Sequence, residues 1–171
     1  MTETVDEWVV EALREFDGKQ LFSAAKGDLE LPVKDEEGEQ AKEKREERAG
    51  VFAGLIESMK SALVSTVKEV RLTDRLTDSP ACLVSDPNAL SPHMERLMRA
   101  NNQPVPEQMR ILELNAEHGI VKRLQAMAGD EAQSEALADW SQLLYDQALI
   151  AEGSPPSDAG RFARQITKLM E

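Results

Sequence analysis

Near its C-terminal end the chain carries Gly153-Ser154-Pro155-Pro156-Ser157 between two stretches whose apolar residues recur at helical spacing, and no other local pattern restricts the fold as much. Leu137, Trp140, Leu143, Leu144, Ala148 and Ala151 line one broad side of a helix expected from about Gln133 to Glu152. Phe162, Ile166, Leu169 and Met170 line one side of a second, expected from about Asp158 to Met170. Gly153 suits the position just past the first helix and Ser157 the N-cap of the second, so the two form a helical hairpin. Two short helices cannot cover each other's apolar faces and also pack on a small sheet without surplus. Self-association is a natural way to bury what is left. The alternative is a hairpin folded wholly onto its own domain.

That sheet is expected from three short β-rich runs, Val67 to Leu72, Ala81 to Val84 and Arg110 to Leu114. Upstream, Val51, Phe52, Leu55, Ile56, Met59, Leu63 and Val64 fall at spacings of three and four, one stripe of a long helix from about Glu47. Strands with helices between and after them make an α+β domain. Gly129-Asp130 marks a loop before the hairpin. From Pro32 to Arg48 the residues turn to Glu, Lys and Arg of mixed sign, which reads either as a solvated helix start or hinge or as a plain linker. Asp6 to Phe16 has helical spacing, stopped by Asp17-Gly18. A short strand at Leu21 to Ala25 and a turn at Lys26-Gly27-Asp28 follow. The tandem Arg71-Leu72-Thr73-Asp74 and Arg75-Leu76-Thr77-Asp78 is too short to be a repeat unit and reads as coincidence.

A length of 171 residues holds one domain and an appendage, with apolar content enough for a core. The net charge of -12 argues against nucleic acid and anionic membrane as partners, since both need clustered Lys and Arg. Cys82 is the single cysteine, which fits a reducing compartment; in a strand it reads as an inert thiol. Neither an apolar run of membrane-spanning length nor a signal-peptide pattern is present, so cytoplasm is expected. Catalytic signatures are lacking: His93 and His118 belong to no metal-binding pattern, and no phosphate loop or nucleophile elbow occurs. His118 reads as a helix-start or surface residue.

A further helix opens at Ser91-Pro92, where Ser91 can cap and Pro92 suits the first turn. Leu90, Met94, Leu97 and Met98 project to one side, and Glu95, Arg96 and Arg99 occupy the other. Such a helix docks on its own core, or, because methionine adapts to many partner shapes, binds other proteins.

The run RLTDRLTDSPACLV from Arg71, then SDPNALSPHMERLMRANNQ, then ILELNAEHGIVKRL, resembles the C-terminal domain of the ninety-kilodalton heat-shock chaperone family, in its bacterial form. DEWVVEALREFDGKQLFSAAKGDLEL, from Asp6, resembles the end of that family's middle domain, so the resemblance covers nearly the whole chain. It implies residues 1–33 as the tail of the middle domain, 34–50 as a charged hinge or helix start, and 51–171 as a dimerisation domain whose hairpin joins a partner's in an intermolecular four-helix bundle. Leu137, Trp140, Leu143, Leu144, Ala148, Phe162, Ile166 and Leu169 then make the dimer interface. Trp8, Leu90, Met94, Leu97 and Met98 contact non-native client proteins, while Glu11 stands where some members place an asparagine. The family binds ATP and Mg in an N-terminal domain not represented here, so a fragment without ATPase activity or cofactor is expected. The ending QITKLME lacks the acidic tail that recruits repeat-domain cochaperones in eukaryotic members, which implies a bacterial type. A different class of function is an acidic helical scaffold binding one specific partner through the same hairpin.

Overall fold

The computed structural model describes residue 13 and residues 15–20, 38–86, 90, 92–104 and 109–170. Glu15–Phe16 (β1) and Lys19–Gln20 (β2) pair antiparallel. Between them Asp17 and Gly18 both take positive φ, 52° and 71°, the geometry by which a two-residue turn follows the twist of its strands. The expected helix over Asp6 to Phe16 is therefore corrected at its end: Phe16 is an exposed strand residue, and Asp-Gly closes a hairpin. The strand expected at Leu21 to Ala25 and its following turn lie outside the described residues.

A long helix, α1, runs Gly38–Ala62. From Gly38 the charged stretch is thus helix rather than linker, and the helix starts well before Glu47. Phe52, Leu55, Met59 and Leu63 are buried and Ile56 packs against them. Val51 and Val64, expected in the same stripe, are 57% and 71% exposed. Val51 sits about 100° around the helix from Phe52, and Val64 lies past the last helical residue.

The sheet is mixed, with β3 (Val67–Thr73), β4 (Ala81–Val84) and β5 (Arg110–Asn115) in the order β3-β5-β4. Central β5 runs parallel to β3 and antiparallel to β4, and all six of its residues are buried. Register gives the two faces different chemistry. Val70, Leu112 and Leu83 form one row and Leu72, Leu114 and Ala81 the next, all on the core face. The intervening row on the other face is Arg71, Glu113 and Cys82.

Among the described residues, three helices cover the core face. Helix α1 lies against β3; α3 (Gly119–Met127) supplies Val121, Leu124 and Met127; α4 (Ser134–Ala151) lies against β4 and α1. Helix α3 was not singled out by periodicity, being short. Its start was: His118 is the N-cap, its Nδ1 accepting the Ile120 N–H at 3.2 Å. A 3-10 turn, Glu131–Gln133, precedes α4. The other helices among the described residues are α2 (Pro92–Ala100), between β4 and β5, and α5 (Ala159–Leu169), which packs on α4.

Candidate functional site

The turn between α4 and α5 is closed by backbone and side-chain bonds together. Gly153 has φ 86°; its N–H donates to Ile150 O at 2.9 Å and that of Ser154 to Leu149 O at 2.9 Å, which satisfies the last carbonyls of α4. Ser157 is not the N-cap expected of it, because its N–H and hydroxyl both donate to Asp146 inside α4. The cap falls to Asp158, whose Oδ1 accepts the Arg161 N–H at 2.9 Å. That backbone bond holds the Asp158 carboxyl below the usual carboxylate range. Arg161 Nη2 then donates to Asp139 Oδ1 at 3.0 Å and Gln165 Nε2 to Asp139 O at 3.1 Å, fixing α5 along α4.

The structure separates the eight expected dimer-interface residues into two groups. Leu137, Leu144 and Ala148 are enclosed by the chain's own core, where they seat α4 on the sheet. Trp140, Leu143 and Phe162 are half-buried, and Ile166 and Leu169 are exposed at 38% and 51%. Helix α5 encloses none of its residues. Between the two helices runs a shallow groove lined by Ala136, Trp140, Leu143, Leu169 and the polar Asp139, Gln165 and Lys168. The Arg123 guanidinium sits 6.0 Å over the Trp140 ring and leaves the rest of the indole toward this groove.

The second surface is α2. Leu90, Met94, Leu97 and Met98 are all half-buried. Glu95, expected on the solvent side, is instead buried and bonded to Arg110 at 3.0 Å. A sequence reading places charge outward by default, and only the buried cation on β5 reverses this. Trp8, Glu11 and Ser91 lie outside the described residues.

On the polar face of the sheet, Glu113 is buried and accepts from Arg71 Nη2 at 2.8 Å, from Arg71 Nε at 3.0 Å, and from Arg75 Nη2. The two arginines come from the tandem four-residue motif. It is no repeat unit, yet each copy supplies one guanidinium to the same carboxylate, a link that required knowing the β3–β5 register. Cys82 Sγ lies 3.9 Å from Glu113 Oε2. Burial, reinforced by that carboxylate, pushes the thiol up to about 11, the opposite of what a reactive cysteine needs. Among the described residues no group of His, Cys, Asp and Glu is placed to hold a metal ion. No described helix is long and apolar enough to cross a membrane.

The described residues thus form an α+β domain with a shallow groove along its hairpin and an amphipathic helix, α2, outside its hydrophobic core. The family model described as Hsp90 protein matches residues 1–171, and the chain belongs to that family. Chaperone protein HtpG of Geobacter sulfurreducens is 47% identical over 170 residues, which is 99% of this chain and 26% of that protein. The same-named proteins of Burkholderia lata and Bordetella pertussis are 44% and 43% identical, again over 99% of this chain and 26% of theirs. The chain thus spans about a quarter of the length of these relatives.

Proposed function

We propose that this chain is the dimerisation and client-binding part of a cytoplasmic HtpG-type chaperone, with residues 51–171 as the dimerisation domain and residues 1–33 the end of the domain before it. Two copies pair through α4 and α5 in a four-helix bundle. The observation that carries this reading is the apolar stripe Phe162, Ile166 and Leu169 on a helix that encloses nothing of its own. A second copy of the groove beside Trp140 and Leu143 offers cover of matching chemistry, and a twofold axis lets each hairpin serve the other. Holding two protomers together raises the effective concentration of their ATP- and Mg-binding domains for each other, so that closure becomes nearly intramolecular.

Helix α2 and the residue leading into it are the client surface, using Leu90, Met94, Leu97 and Met98, with Trp8 from the preceding segment. Each buried Leu or Met contact contributes about 1–2 kcal/mol, giving modest and broad affinity. Nucleic acid, membrane and repeat-domain cochaperones are not partners in this scheme, and this region has no ATPase activity of its own.

The test is Ile166→Asp with Leu169→Asp, two exposed positions whose change leaves the core intact. Light scattering should show the protomer mass for the double variant and twice that for the parent. An unchanged mass would place the interface elsewhere. In parallel, Met94→Asp with Met98→Asp should lose binding to an unfolded protein while keeping dimer mass. Retained binding would remove α2 from the client surface.

A further inference from the structure

Arg110, at the start of β5, is a buried cation bonded to three other elements. Its Nη1 donates to Ser85 Oγ at the end of β4 at 2.9 Å. Its Nη2 donates to Glu95 Oε2 on α2 at 3.0 Å and lies 3.5 Å from Oε1 of Glu152, the C-cap of α4. All of these side chains are nearly enclosed: 9% of Arg110, 10% of Glu95 and 14% of Glu152 remains exposed. The described residues of α2, by contrast, contribute nothing to the hydrophobic core. A helix seated outside the core and tied by a buried ion pair takes orientation from that pair, because displacing it strands a charge away from water.

We propose that Arg110 is a positioning residue that couples α2 to the base of the α4–α5 hairpin. Glu95 and Glu152 share one guanidinium nitrogen, so a shift of the α4 terminus at Glu152 moves the cation that α2 is tied to. Planar, multidentate guanidinium suits this bridging role better than an ammonium. The consequence for clients, that the state of the hairpin sets the presentation of α2, rests on the function proposed above. The link itself does not, and it is measured without client.

The experiment follows amide hydrogen exchange of α2 in the whole chain, with dimer mass recorded alongside. Glu152→Gln, which alters no residue of α2, should change α2 exchange by roughly threefold or more, as expected for coupled neighbours. That response should vanish when Arg110→Met is added. It should vanish equally in a Glu95→Gln background, which decides the matter if the Arg110 variant does not fold. The same response to Glu152→Gln in either background, or none in the parent, overturns the link. A single-chain mass for the parent with the link intact would instead count against the proposed function alone.

Discussion

The Asp146 carboxylate accepts both the backbone N–H and the hydroxyl of Ser157, at 2.9 and 2.7 Å, from a position in α4 with no solvent exposure. This pair, eleven residues apart, ties the Pro155-Pro156 turn to the body of the domain and fixes where α5 begins. Asp146→Ala should therefore destabilise the chain by about 2 kcal/mol, since bonds to a charged acceptor are worth more than neutral ones. Ser157→Ala should cost about half as much, because the backbone N–H still reaches the carboxylate. Urea unfolding midpoints read both, and an unchanged midpoint for Asp146→Ala would mean the turn holds without it.

The shared carboxylate of the tandem motif gives a second expectation. Glu113→Ala should cost about 3 kcal/mol, the lower end for breaking a buried pair, because Arg71 and Arg75 keep 30% and 20% of their side chains in water. Arg71→Ala should cost less than Glu113→Ala by denaturant unfolding. Equal losses would make the arginine, not the carboxylate, the centre of the cluster.

Cys82 supplies a pH dependence. Its thiol rises from an ordinary 9.0 to about 11, chiefly by burial and then by the Glu113 carboxylate. At pH 8 a two-unit rise lowers the thiolate fraction about a hundredfold, so alkylation by iodoacetamide should be slower than for an unfolded thiol by about that factor. The folded state holds its proton more tightly than the unfolded one. Stability from this group is accordingly intact below pH 9 and falls as pH rises from 9 to 11. Glu113→Gln should speed the alkylation at pH 8. An alkylation rate at pH 8 equal to that of the unfolded chain would show the thiol to be unperturbed.

Much of the architecture was legible because periodicity reports burial directly. The strands at Val67, Ala81 and Arg110, the two C-terminal helices and the Gly153 turn all follow from local pattern and chain stereochemistry. What escaped depended on partners distant in sequence. Ser157 lost its capping role because a buried Asp146 offered a better acceptor for both its groups. Glu95 turned inward because Arg110 waits on β5, fifteen residues on. The Asp17-Gly18 turn was different: its hairpin signal was present in the sequence, and the helical spacing before it obscured it.

The candidate surfaces were legible in composition and less so in division of labour. Spacing alone places Leu137, Trp140, Leu143, Leu144 and Ala148 on one broad side of α4. The sheet then claims Leu137, Leu144 and Ala148, leaving Trp140 and Leu143 beside the groove. Which part of an apolar arc faces its own core is set by the position of β4 and α1, which no local window contains.

The most direct test is the mass of the unmodified protein by sedimentation equilibrium across a wide range of concentration. Pairing through α4 and α5 requires a species of twice the chain mass, dissociating only on dilution and lost in Ile166→Asp with Leu169→Asp. A single-chain mass that does not vary with concentration up to tens of micromolar would contradict it, and would leave the hairpin groove for a different kind of protein.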